Sequence, residues 1–401
     1  MVADMQTAAD LESSIRGVKG PSPLINVPGF DIVWSFRPDY MHTVLLGVVR
    51  QMMDIWCSNV GKAHYIGSAR TLAEIDGRLL SQRPPLCFIR VPRSLKLRKY
   101  WKASEWEAWL LYYSLPCLKG ILEAMFFEHF ALLVSAVYTL LKSHVTADDV
   151  DISTRKITEF VVMTQCHYGA GAMTSNVHTL LHLPKSVLLH GPLWAVSCFE
   201  FESNMGHLVH LVSSSNGIPF QILSRILLLN NFHFLQSMAS QEVQELCIQA
   251  KRRKHSRLKL LGRPQAPSME LSDYIMENIS GVVKVDEYSR VSAEGCTVHF
   301  HSKNYKSATL KRDSSVLKVG GEYTRVEHIV DVSKVDGTSE IFIISDVYHI
   351  TNFEEVDHLK EAVSSGSKKV HSLSKSLRPC VYLELNGKLL FAELCNRFGS
   401  F

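Results

Sequence analysis

Apolar residues recur at intervals of three and four from residue 40 to residue 249, and this spacing predicts a mostly helical region. Val44, Leu45, Val48 and Met52 mark one stripe, Trp106, Trp109, Leu110 and Tyr113 a second, and Ile157, Phe160, Val161 and Thr164 a third. Arg83-Pro-Pro85, Gly169 to Gly171 and His190-Gly-Pro192 separate the stripes, because proline lacks a backbone donor and glycine favours turns. The most apolar run, 130–141, sits between Glu128 and Lys142 and is too short to cross a bilayer, so it predicts a buried helix.

Further along, the period changes from about 3.6 to 2. Val282-Val-Lys-Val285, Thr297-Val-His-Phe300, Ile341-Phe-Ile-Ile344 and Val381-Tyr-Leu-Glu-Leu385 predict strands. Asn386-Gly387 predicts a two-residue hairpin turn, whose two positions both need positive φ. Ser364 to Ser376 reads as a short polar, lysine-bearing loop. Between the two patterns lies Lys251-Arg-Arg-Lys-His-Ser-Arg257, which continues through Lys259 and Arg263 to Pro264 and Pro267 and reads as a linker or the frayed end of a helix. The expectation is therefore an α+β chain: an irregular or disordered segment at 1–16, a helical domain at 17–250, a basic linker at 251–270, and a small β-barrel-like domain of the SH3 or Tudor sort at 271–401.

Composition narrows the class only a little. A length of 401 residues accommodates two or three domains, and a formal charge of +4 does not by itself argue for nucleic acid. Nine cysteines, an odd number without close pairs, exclude a disulfide framework and a Cys-x-x-Cys zinc site, and predict buried reduced thiols. The first residues lack a basic region followed by an apolar one, so no secretory signal is indicated. These features describe a soluble intracellular protein with no membrane partner and no small-molecule substrate.

Chemistry-bearing residues concentrate in two places. Asp39-Tyr-Met-His42 sets a carboxylate and an imidazole three residues apart where the stripe of 41–56 begins. His178 and His182 stand one helical turn apart on one face, and Phe199-Glu200-Phe201-Glu202 follows. Each has a plainer reading. Asp39 is well placed to cap the helix after it, an arrangement that contributes about 1 kcal/mol. His42 also reads as a half-buried histidine, and the His178 and His182 pair as packed side chains. Leu193, Trp194 and Phe199 read as core.

Seven blocks in order resemble the later part of cut-and-paste DNA transposases of the CACTA kind. They are Gly17-Val-Lys-Gly-Pro-Ser-Pro-Leu24, Pro28-Gly-Phe-Asp31, Asp39-Tyr-Met-His-Thr-Val-Leu-Leu-Gly47, Tyr168-Gly169, Met173-Thr-Ser-Asn-Val-His-Thr-Leu-Leu-His182, Gly191-Pro-Leu-Trp194 and Phe201-Glu-Ser-Asn-Met-Gly206. Such transposases are similar to the V(D)J recombinase, in which an RNase H-like core interrupted by a helical insertion cuts DNA with two metal ions held by Asp, Asp and Glu. The resemblance implies that Glu202 is the last catalytic carboxylate, because Glu202 and Gly206 match the family's Phe-Glu-x-x-x-Gly; Glu200 is the fallback. It also implies that Asp39 and His42, with His178 and His182, hold a structural zinc ion, and that DNA is the partner, with a homodimer and a nuclear location.

One departure matters. The two catalytic aspartates of the family precede the Gly-Pro-Ser-Pro block, which here begins at residue 20, and the residues before it show no strand pattern. A two-metal site needs several carboxylates around ions roughly 3.5–4 Å apart, so magnesium is implied only where the complete set exists. Three readings follow: a carboxy-terminal fragment of a DDE-type transposase, silent alone; an intact transposase whose amino-terminal half is missing from this sequence; or a domesticated module that binds DNA or a protein tail. Lys251, Arg252, Arg253, Lys254 and Arg257 read as phosphate contacts, as a nuclear import signal or as a solvated linker.

Overall fold

A computed structural model describes residues 2–15, 18–246, 258–293, 299–305, 311–354, 356–373 and 377–395. The architecture is mixed α+β, a large helical unit followed by a seven-stranded sheet. The first segment, expected to be irregular, contains helix α1 (Val2–Asp10), whose Met5 and Ala8 are buried three residues apart on one face.

The stripe that starts at Met41 forms a π-helix (Met41–Val49) that runs directly into α2 (Arg50–Ser58). Val44, Leu45, Val48, Met52 and Trp56 along it are wholly buried. Helices α3 (Ala69–Leu80), α4 (Ala103–Ala108) and α5 (Ser114–Leu118) follow, a second π-helix (Trp109–Tyr113) lying between the last two. The long pair α6 (Ala124–Leu140) and α7 (Ala147–Tyr168) packs side by side at the centre. Thr146 and Asp149 form a reciprocal capping box at the start of α7, which fixes where that helix begins.

The paired-histidine segment is not one helix. It divides into α8 (Ser175–Thr179), a 3-10 turn (Leu180–His182) and α9 (Leu183–His190), Pro184 sitting in the first turn of α9 where its missing donor is harmless. Next come α10 (Phe199–His210) and α11 (Ile218–Met238). Both expose large apolar side chains, among them Phe201, Met205, Phe220, Leu228 and Phe232. No helix among the described residues is long and apolar enough to cross a membrane.

In the stretch expected to be a linker, residues 251–257, with Lys251, Arg252, Arg253, Lys254 and Arg257, lie outside the described residues. Beyond them β1 (Leu258–Leu261) is a strand, and α12 (Met269–Asn278) follows. The remaining strands are β2 (Val282–Tyr288), β3 (Arg290–Ala293), β4 (His299–His301), β5 (Val316–Val319), β6 (Glu322–Lys334), β7 (Ser339–Phe353), β8 (Val356–Ser372), β9 (Leu377–Leu385) and β10 (Lys388–Glu393). Strands β1, β3 and β4 make a small separate sheet. Antiparallel pairings run β5–β6–β7–β8–β10–β9 and return from β9 to β5, so six strands close into a ring. Strand β2 adds to the far half of β6. The turn at Asn386 and Gly387 has φ of 51° and 77°, as the hairpin signal requires.

The polar segment after Ser364, expected to be a loop, is a correction. Residues 364–372 belong to β8, and 374–376 lie outside the described residues. A register shift opposite Asp346 and Tyr348 absorbs the extra residues, and Ser365 Oγ donates to Val347 O at 2.7 Å. Serines and lysines on the outward positions of a strand leave no apolar alternation to read.

The ring and the helical unit share one core. Leu359, Val381, Leu383, Leu390 and Ala392 pack among the buried residues of the helices. Polar contacts cross the same seam: Tyr138 OH donates to Glu393 O at 3.0 Å, and Cys395 N donates to Tyr112 OH at 3.2 Å. His358 Nε2 donates to Leu111 O at 2.7 Å while its ring stacks on Tyr138 at 3.9 Å.

That histidine makes the seam sensitive to acid. Burial pushes His358 down to about 3 from 6.5, so the unfolded chain binds its proton first as pH falls. Its stabilising contribution is complete above 6.5 and is lost as pH drops towards 3, by about 1.4 kcal/mol for each pH unit. Urea denaturation at pH 7, 6 and 5 is expected to give a shallower loss of stability in His358→Gln than in the parent. Equal slopes would show that another group governs the acid limb; His129, held at about 4 by burial, is the next in order.

Candidate metal centre

The start of the first π-helix and the start of α10 meet at Asp39. Its Oδ2 accepts the backbone N–H of His42 at 2.8 Å, which is the capping bond expected of an aspartate three residues before that position. The same oxygen accepts His42 Nδ1–H at 2.5 Å. Oδ1 accepts the backbone N–H of Cys198 at 2.8 Å, a bond across 159 positions. Burial raises the Asp39 carboxyl, but the N–H donors of Cys198 and His42 outweigh it and hold it below the ordinary value. Capping and site-building are thus performed by one carboxylate.

Asp39 thereby orients the ring and leaves Nε2, the other nitrogen of His42, facing α10. It lies 3.9 Å from Glu202 Oε1. Glu202 sits one turn after Cys198 in the first turns of α10, where the helix dipole favours negative charge. Glu200, in the same turn, is exposed, as is Glu202. Burial, then the charge of Asp39 nearby, raises the Cys198 thiol above its usual range.

Among the described residues, one group of three or more side chains has donor atoms close enough to hold a metal ion: Asp39, His42 and Cys198, all within 4.8 Å of one another. A carboxylate, an imidazole and a thiolate are all ordinary zinc donors, so the set fits that ion by chemistry. Cys198 was not singled out from the sequence; its only signal is its place one helical turn before Glu202.

His178 and His182 form a pair of their own. Their Nε2 atoms are 3.4 Å apart, close to the ligand–ligand spacing of roughly 3.3–3.5 Å that tetrahedral zinc–nitrogen bonds impose. They are not part of the group around Asp39, so the four-residue set expected from the sequence is not assembled as one cluster. Trp34 lies against His182 with ring centroids 5.1 Å apart and carries Lys185 Nζ 3.8 Å above its own ring. Burial, then the neighbouring His178, lowers the pKa of His182.

The first π-helix holds the two halves in proximity. At Gly47 a Cβ would stand 2.6 Å from Asn176 Nδ2 and 2.9 Å from His42 O, so glycine permits the close approach of α8. Gln51 reinforces the contact by donating to Ala172 O at 2.7 Å and accepting from Thr174 Oγ1 at 2.8 Å. Trp194 and Phe199 pack against the core, as expected of them. No protein-family model, curated protein or solved structure matches this chain.

Proposed function

We propose that this chain is a transposable-element-derived protein, the carboxy-terminal portion of a DDE-type DNA transposase of the CACTA kind, catalytically silent on its own. The observation that carries the reading is the bond from Cys198 N to Asp39 Oδ1, which joins the Asp39-Tyr-Met-His42 block to the start of the helix bearing Glu202. Two segments singled out separately by resemblance are neighbours in space, with His42 Nε2 3.9 Å from the carboxylate assigned as catalytic. In this reading the helical unit is the insertion and the end of an RNase H-like core. Glu202 is the last of three catalytic carboxylates, and magnesium enters only with the other two.

Zinc held by Asp39, His42 and Cys198 would cross-link the beginning of the insertion to α10, a structural role. DNA is the partner of such a protein, its location nuclear, and its working form a homodimer. The apolar surface of α10 and α11 supports membership of a larger assembly, since α11 has Arg225 as its only Arg, Lys, Asp or Glu and exposes apolar residues along its length.

Purified chain is expected not to nick or join supercoiled DNA with magnesium or manganese, because one glutamate cannot position two ions. Metal-dependent cleavage that disappears in Glu202→Gln would instead establish an intact transposase.

A further inference from the structure

The six-stranded ring has a charged end that neither the core nor the metal centre uses. Side chains alternate in direction along a strand, so residues two apart share a face. Val316, Ala362, Cys380 and Phe391 pack together inside the ring with Tyr323. Two positions away on the same four strands stand Lys318, Lys360, Arg378 and Glu393, which places three cations and one carboxylate at one rim. They line a cleft of about 550 Å³, whose other wall is the end of α6 with Lys142 and His144.

The charges do not balance within that cleft. Lys318 and Arg378 are direct cross-strand partners, an arrangement in which like charges repel. Glu393 accepts the Tyr323 hydroxyl at 2.5 Å and also bonds Lys318 Nζ, so one of its oxygens is already shared. Arg378, exposed at the rim, has the more distant charge of Glu393 as its counterpart. Lys360 Nζ donates to the neutral Asn352 Oδ1 at 2.5 Å. Asp357, the other carboxylate of the cleft, is bonded by Asn352 Nδ2 at 3.2 Å, and Lys142 is paired with Asp149 at 2.7 Å. The carbonyls at the end of α6 oppose an anion, but helix ends carry only about half a charge, less than Lys360 and Arg378 together.

We propose that this barrel mouth binds a phosphate-class anion, free or carried on a nucleic-acid backbone. Arg378 supplies a planar two-pronged donor and Lys360 a second cation, a combination suited to a doubly charged tetrahedral group. Barrel mouths are common ligand sites, and the cleft is large enough for more than the phosphate alone. The inference is independent of the metal centre and of the transposase reading.

The test is calorimetric titration of the full chain with inorganic phosphate, against chloride at equal ionic strength. Binding is expected, and Arg378→Gln and Lys360→Gln should each weaken it about tenfold, the loss of one charge-assisted bond. Lys388→Gln, a surface lysine outside the cleft, should leave it unchanged, and thermal midpoints without phosphate should match across all three variants. Displacement of phosphate by a short oligothymidine assigns the site to a nucleic-acid backbone; phosphate binding without displacement assigns it to a free anion. Equal heats for phosphate and chloride, or parental affinity in Arg378→Gln, would overturn the proposal.

Discussion

A fragment ending at residue 246 is expected to be unfolded or molten, because the ring is part of the core of the helical unit. Phe353, Val356, Leu359, Val381, Leu383, Leu390, Ala392 and Cys395 pack with the buried side chains of the helices. Uncovering that seam costs on the order of 10 kcal/mol by area, an upper figure that still rivals the 5–15 kcal/mol by which domains are stable. All six tryptophans, from Trp34 to Trp194, lie in the helical unit, so their fluorescence reports on it alone. In the full chain, fluorescence and far-ultraviolet dichroism should follow one unfolding transition. Two separated transitions, or a 1–246 fragment with a sharp melt, would show that the halves fold independently.

Gly67→Ala is expected to be the most disruptive small substitution. After α2 the chain turns back so that Ile66 N donates to Trp56 O at 2.9 Å. A Cβ at Gly67 would then stand 2.0 Å from Cys57 O and 2.7 Å from the carbonyl carbon, both backbone atoms that no rotamer change can move. The backbone must shift beside wholly buried Trp56, at a loss of about 3 kcal/mol or more. Gly77→Ala in α3 is the control: its Cβ meets nothing within 4 Å, and alanine should stabilise a helix interior by up to about 1 kcal/mol. Equal denaturation midpoints for the two variants would contradict this account.

The difference between these glycines is not visible in the sequence, and it marks the limit of what spacing conveys. The stripes of Val44 to Met52 and Ile157 to Thr164 were legible because burial on a helix repeats every three or four residues. Asn386-Gly387 was legible because few residues tolerate its backbone. A barrel was expected from the run of strands and turns, but which strands close it was not legible, because closure depends on β9 returning to β5, a pairing without a local signal. The candidate site divides in the same way. Asp39, His42 and Glu202 were found by residue type and resemblance, whereas the Cys198 thiol is brought to the site by its backbone N–H bonding Asp39, a contact that any residue could make and that leaves no mark in the sequence. The separation of the His178 and His182 pair from the Asp39 group likewise depends on how α8 and α9 break, and a four-residue interval is equally compatible with one shared site.

The central claim is that the Asp39-Tyr-Met-His42 block and the start of α10 form one metal-holding unit. Elemental analysis of protein purified without chelator, combined with thermal unfolding before and after chelation, tests it most directly. The account predicts about one equivalent of zinc, lost in His42→Ala and in Cys198→Ala, with a lower unfolding midpoint once the metal is removed. Metal-free protein whose midpoint is unchanged by zinc or chelator would contradict it, and would leave Asp39 as the cap of a helix and the anchor of α10.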